Sequence, residues 1–248
     1  MTKMKYFIII SFFIIISCKR NEDLKLFVSK DTATSIYISD DIIIDDRVKV
    51  RDSIYNYDYY EKFIKTLINS NRFIFVPLNE FESTFSSEKI VIAMRHDIDY
   101  DIASAVRFAR REFKNGVRAT YFILNTADYY GITKRDTIIR NPSVLTYIKK
   151  LQNEYKHEIG WHNDLVTLQI VYNIDVKRYL TGEFAWLRNN GIKIDGSVYH
   201  GSEFCYKYLY LNSYIWKNSG KNKNFPNYYS VLVDCNYIKI NKFVYSDF

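Results

Sequence analysis

Three prolines and eight glycines are few for 248 residues, and they are scattered. No Pro/Gly/Ser-rich linker or internal repeat divides the chain, which points to a single domain. The leading apolar run, Tyr6 to Ile16, is broken only by Ser11 and falls short of the roughly 20 residues that a membrane-spanning helix needs. Basic residues outnumber acidic ones 35 to 28, for a net charge of +7. They are spread along the sequence instead of forming a stripe, which argues against a nucleic-acid partner. Cysteine is scarce as well, with three residues.

Lys3 and Lys5 stand before the apolar run, which stops at Ser17-Cys18 and gives way to the polar Lys19-Arg20-Asn21-Glu22-Asp23. A charged front, an apolar middle and a sharp polar stop read as an export signal over residues 1–17. Ile15-Ile16-Ser17-Cys18 resembles a bacterial lipobox, which implies cleavage before Cys18 and a lipid on its sulfur. The exported protein would then be anchored to the cell-envelope membrane. Cys205 and Cys235 remain, either as a disulfide in an oxidising compartment or as two buried free thiols. Residues 18–53, with the run Asp40-Asp41-Ile42-Ile43-Ile44-Asp45-Asp46, are expected to be a tether with one edge strand. Residues 54–248 are then the domain, long enough for a real core. Twenty-three tyrosines suit stacking on sugars as well as ordinary packing.

Periodicity sketches the domain. Tyr60, Phe63, Ile64, Leu67 and Ile68 recur at helical spacing ahead of an apolar strand from Ile90 to Met94. Ile102, Ala105, Val106, Ala109 and Phe113 give a second helix, capped by Asp99 or Asp101 and ended near Gly116. Val117 to Leu124 reads as the next strand, so the unit is strand, helix, strand, with the right-handed crossover of a parallel sheet. Asn141-Pro142 opens a helix carrying Val144, Leu145, Ile148 and Leu151. A short strand at Glu158-Ile159-Gly160-Trp161 follows. Val176, Tyr179, Leu180, Phe184 and Leu187 form a helix closed by Asn190-Gly191, and Ile194 to Tyr199 is the next strand.

Three of these strands end in chemistry. "MRHDIDYDIASA", Met94 to Ala105, packs His96, Asp97, Asp99 and Asp101 into six residues. The strand before Trp161 delivers His162, Asn163 and Asp164, and the strand before Tyr199 delivers His200-Gly201. In barrels of alternating strands and helices, functional residues gather at the carboxyl ends of the strands. Asp97, Asp99, His162 and His200 are therefore expected to face one cavity. Carboxylate and imidazole suit a divalent metal, and a catalytic site needs about three protein ligands and an open position for water. His157 falls outside the pattern and is expected to be structural or solvent-facing. Arg95 either orients the aspartates, binds an anionic sugar or is solvated at the strand end.

"RHDIDYD", "RATYF", "HEIGWHND" and "YHGS" together resemble the polysaccharide deacetylase family with the NodB homology domain, from about Tyr55 to the C-terminus. The resemblance implies a distorted (β/α) barrel holding a divalent metal, often zinc, that removes N- or O-acetyl groups from a sugar polymer. It implies Asp97 as catalytic base, Asp99 as metal ligand and His162 as metal ligand. The family's second ligand histidine would fall at Val166 here, so the third ligand is His200 or Asp164. His200 is also the one evident candidate for the general acid. The chain ends before the late motif that usually carries that acid, so the barrel is expected to be short at its C-terminus. Two rivals belong to other classes. One is a non-catalytic, glycan-binding envelope lipoprotein that kept the fold. The other is a glycosyltransferase reading of Asp97-Ile98-Asp99, for which an exported protein has no nucleotide-sugar supply.

Overall fold

The structure is a computed structural model that describes residues 8–13, 56–81, 83–84, 88–212 and 214–215, with short strands at 227–228, 238–240 and 243–245. Cys18, the expected tether and Cys235 lie outside the described residues. The elements are β1 (Ile8–Phe13), α1 (Tyr57–Asn69), β2 (Phe73–Val76), α2 (Leu78–Phe81), β3 (Ile90–Ile98), α3 (Ile102–Lys114), β4 (Thr120–Leu124), β5 (Gly131–Lys134), β6 (Thr137–Arg140), α4 (Val144–Lys149), β7 (Glu158–Asn163), α5 (Val176–Asn189), β8 (Ile194–Tyr199), α6 (Glu203–Tyr208), β9 (Asn227–Tyr228), β10 (Ile238–Ile240) and β11 (Phe243–Tyr245). Seven strands form one sheet in the order β1-β3-β4-β7-β8-β9, with β2 also paired to β3. Every pairing in it is parallel. The protein is therefore α/β, and among the described residues the sheet is open and no barrel closes. No helix among them is long and apolar enough to cross a membrane. Part of the expected leader is β1, which runs beside β3 with Phe13 opposite Asp97.

The helices start where their caps put them. Asn56 accepts the Tyr59 N–H at 2.8 Å to open α1, and Asp101 accepts the Ala103 N–H at 2.9 Å to open α3, which satisfies amide groups that have no intrahelical partner. Of the two carboxylates proposed as caps, Asp101 does the capping and leaves Asp99 for other work. The α3 helix ends at Gly116 with φ +73°, a left-handed conformation that glycine adopts without steric cost. Phe113, expected on the core face of α3, is exposed instead.

Strand alternation divides the sheet into two unlike faces. One is covered by helices: Ile92, Met94 and Ile98 of β3, Tyr121 and Ile123 of β4, and Ile159 and Trp161 of β7 share a core with Ile64 of α1, Ala105 and Ala109 of α3, Ile148 of α4, and Leu180 and Phe184 of α5. The other face carries a smaller cluster of Val76, Leu78, Phe81, Ala93, Phe122 and Val198. It is capped at the amino ends of the strands by α2, which follows the edge-paired β2 directly; sequence periodicity revealed neither element. The backbone of α2 is tied in place, because the Leu78 N–H donates to Thr120 Oγ1 at 2.8 Å and the Asn79 N–H to Glu158 Oε2 at 3.1 Å. Gly160 belongs to this face: a Cβ there would stand 2.2 Å from Cε1 of Phe122, so the Phe122 ring lies across β7 only because position 160 has no side chain.

Two strands extend further than their apolar runs suggest. β3 continues four residues past Met94 to Ile98, and β7 two residues past Trp161 to Asn163. Arg95, His96, Asp97, His162 and Asn163 are thus buried strand residues, not a solvated loop.

Candidate functional site

Past Phe122 and Gly160, the face that carries α2 becomes polar toward the carboxyl ends of the strands. Arg95 and Asp97 project from β3 on this face. They form a two-point ion pair, with Nε donating to Oδ1 at 2.8 Å and Nη2 to Oδ2 at 2.7 Å. The fork geometry of a guanidinium suits this contact, so of the three readings of Arg95 the structure shows the one that orients Asp97. Burial acts to raise the Asp97 carboxyl, but Arg95, with His162 and His200, outweighs it and holds the group at about 2.

Asp99 follows two residues later and behaves oppositely. Burial raises its pKa first, the nearby charges of Asp97 and Asp164 add to that, and His200 and Arg95 only partly oppose it. Its Oδ1 is buried and has no hydrogen-bond partner. Instead it faces two imidazoles, His162 Nε2 at 3.5 Å and His200 Nδ1 at 3.7 Å. Those two nitrogens are 3.2 Å apart. Burial, assisted by His200 and Arg95 against the pull of Asp97, lowers His162 to about 3, so its ring is neutral at ordinary pH with a lone pair available.

The three ligand atoms therefore form a triangle of 3.2, 3.5 and 3.7 Å. Three atoms held about 2.0–2.2 Å from one tetrahedral ion would be about 3.3–3.6 Å apart. The residues present thus fit a divalent cation in spacing and donor type, with Asp99 partly and His200 about one quarter open to solvent. Asp97 lies on the rim of this triangle, its Oδ2 3.7 Å from His162 Nε2, close enough to act on something bound there without being one of the three.

The two candidates for a third ligand part company. His200 stands at the triangle. Asp164 is buried, but its Oδ2 accepts from Thr126 Oγ1 at 3.1 Å and its Oδ1 lies 3.5 Å from Asn212 Nδ2, so it is committed elsewhere. Val166, where a second histidine would stand, is fully buried, and its N–H donates to Asn212 Oδ1 at 2.6 Å.

Two of the four histidines face the other way. His96 points under α3, with Nε2 2.6 Å from Glu112 Oε1, and stacks on Tyr121 at 4.6 Å. Glu112 also accepts from the Tyr60 hydroxyl and, at 2.6 Å, from that of Tyr121. His157 is buried and structural, as one of its two readings expected. Its Nδ1 accepts the Ala119 N–H at 3.0 Å, which leaves Nε2 to donate to the Ala109 carbonyl at 3.0 Å. Sequence reasoning missed Glu112, although its spacing from Ala105 and Ala109 placed it on the apolar face of α3. Cys205 is a buried free thiol.

The chain matches no family model, no curated protein and no solved structure. The likeness to deacetylases thus rests on the motif residues themselves.

Proposed function

We propose that the chain is a divalent-metal hydrolase, most simply a zinc enzyme, that removes N- or O-acetyl groups from a cell-envelope or extracellular polysaccharide. The observation that carries this reading is the Asp99–His162–His200 triangle with a separately ionised Asp97 beside it. Two carboxylates two residues apart in unlike surroundings, Asp97 locked to Arg95 and Asp99 facing two imidazoles, fit a division into base and ligand. The fold is in keeping with the reading. Helices α1, α3, α4 and α5 all cover one face and the polar cluster lies on the other, an arrangement compatible with a distorted (β/α) barrel.

A bound divalent ion would lower the pKa of its water toward about 7 and polarise an acetyl carbonyl. The chain's own residues then have distinct tasks. Asp99, His162 and His200 would hold the ion. Asp97, fixed by Arg95, would accept the proton of the attacking water. Held at about 2, it is ionised and ready to accept at ordinary pH, and its fixed place beside the triangle offsets its weak basicity. With His200 serving as ligand, it is not free to be the general acid. Lipid attachment at Cys18 would place the domain at the envelope membrane, near its polymer.

One observation favours a second reading, a glycan-binding lipoprotein without turnover: the buried, apolar Val166 at the position where a deacetylase histidine would stand. Metal analysis of the purified protein, with acetate release measured on chitin oligomers, peptidoglycan and exopolysaccharide, separates the two. Bound metal with acetate release supports the hydrolase. Glycan binding with neither metal nor release supports the alternative and overturns the first.

A further inference from the structure

His200 is the least enclosed member of the triangle, with 23% of its side chain exposed against 4% for His162. Packing alone does not fix its ring, so its place must come from its backbone. That backbone is held at both ends. The His200 N–H donates to the carbonyl of Asn163, the residue after His162, at 2.8 Å. The His200 carbonyl accepts from Asn212 Nδ2 at 2.5 Å.

Asn212 is itself fully buried and joins three parts of the chain. Its Oδ1 accepts the Val166 N–H at 2.6 Å, and its Nδ2 also lies 3.5 Å from Asp164 Oδ1 and 3.4 Å from Cys205 Sγ. One amide therefore couples the segment after β7, the strand that carries His162, to the segment after β8, which carries His200. An amide is the side chain for this task, since it donates to a carbonyl and accepts from an N–H at once.

Building on the metal reading above, we infer that Asn212 is the positioning residue that makes His200 the third ligand. It holds the His200 carbonyl against the Val166 amide, so the site closes through a strap 12 residues beyond His200 instead of through a second histidine on the segment after β7. Asn212 touches neither the ion nor the substrate in this account and acts only through His200.

The test is zinc affinity of the full chain, by chelator competition, together with the visible spectrum of the cobalt-loaded protein. Asn212→Ser is too short to span the gap, and Asn212→Asp keeps the acceptor for Val166 but loses the donor to His200. Each should weaken zinc binding by about 10- to 100-fold, the usual effect of removing a group that orients a ligand, and should shift the cobalt spectrum as His200→Ala does. The decisive result is the double variant: Asn212→Ser with His200→Ala should bind zinc no more weakly than His200→Ala alone, because both changes remove the same ligand. Tyr60→Phe, which loosens the core on the opposite face, should lower stability and leave affinity unchanged. Additive losses in the double variant, wild-type affinity in both Asn212 variants, or an equal loss in Tyr60→Phe overturns the inference while leaving the metal site intact. A wild-type chain that takes up no ion overturns the metal reading itself, and this inference with it.

Discussion

On the helix-covered face of β3, His96 lies 2.6 Å from Glu112, and the same carboxylate takes the hydroxyls of Tyr60 and Tyr121. On the opposite side, three residues along and just past the end of β3, the nearest approach of imidazole to the Asp99 carboxylate is 3.5 Å, and its Oδ1 has no hydrogen-bond partner. The same residue types, imidazole and carboxylate, are used twice around β3 to different ends. In the first cluster both oxygens of Glu112 are hydrogen-bonded, the condition under which buried polar groups stabilise a fold. In the second the two imidazoles are 3.2 Å apart, but Asp99 Oδ1 stands back from both at 3.5 and 3.7 Å and is a buried acceptor without a hydrogen bond. An unsatisfied buried group costs stability, and its persistence here fits a site shaped for something else.

The contrast can be broken or sharpened by mutation. The largest effect on rate is expected at Asp97. Asp97→Asn should keep most of the bound metal, since it is not one of the three ligands, yet slow acetate release by about 10²- to 10⁴-fold, the span of general-base catalysis. Loss of metal together with rate in this variant would make Asp97 a ligand and merge the two roles.

Across the strand, Glu112→Ala should cost about 3–5 kcal/mol of unfolding free energy in urea, because it strands a buried histidine and two phenols. The fraction that folds should bind zinc as the wild type does. A cost under about 1 kcal/mol would show that the network is not what holds α1 and α3 to the sheet.

Zinc itself should stabilise the wild type by about 2.7 kcal/mol at a hundredfold excess over its dissociation constant, and acid should remove this. The ion-free chain has its own pH dependence. His162 titrates at about 3 when folded against 6.5 when free, so the unfolded chain binds the extra proton between those values and stability falls as pH drops from 6.5. Glu112, at about 2 against 4.5, extends the loss from pH 4.5 downward in the same direction. Urea midpoints measured in chelator from pH 7 to 4 should therefore decline, and His162→Ala should make the upper part of that decline shallower. A flat profile above pH 4.5 would contradict the buried, neutral His162.

The smallest effect is expected at Gly160. Gly160→Ala must displace the Phe122 ring, at about 1–3 kcal/mol for overpacking, with little change at the ligands two residues away. A neutral outcome would mean that Phe122 can move aside freely.

Much of this architecture was legible from spacing. The helices at α1, α3 and α5 and the strand β8 follow directly from apolar periodicity, and the three strand ends carrying Asp97, Asp99, His162 and His200 were brought to one site as their positions implied. What escaped did so for physical reasons. Charged residues at Arg95, His96 and Asp97 read as the end of a strand, because nothing in a single sequence shows that each will find a buried partner on its own face. The segment of β2 and α2 is too short to display a period. The β5–β6 hairpin turns at Arg135 and Asp136, with Asp136 at φ +65°, without the glycine that usually signals such a turn. His96 was counted in the charged stretch but given no role, and alternation, which sends neighbours to opposite faces, places it under α3. Asn212 carries no signal at all, since an isolated asparagine gains meaning only from the three segments it meets.

The most direct test of the central claim, that one face of β3 is a metal centre and the other a structural network, is the metal content of the purified chain after dialysis against zinc. The account predicts one ion per chain in the wild type and in Tyr121→Phe, and none in His162→Ala or Asp99→Asn. An ion retained in both ligand variants, or none in the wild type, would contradict it.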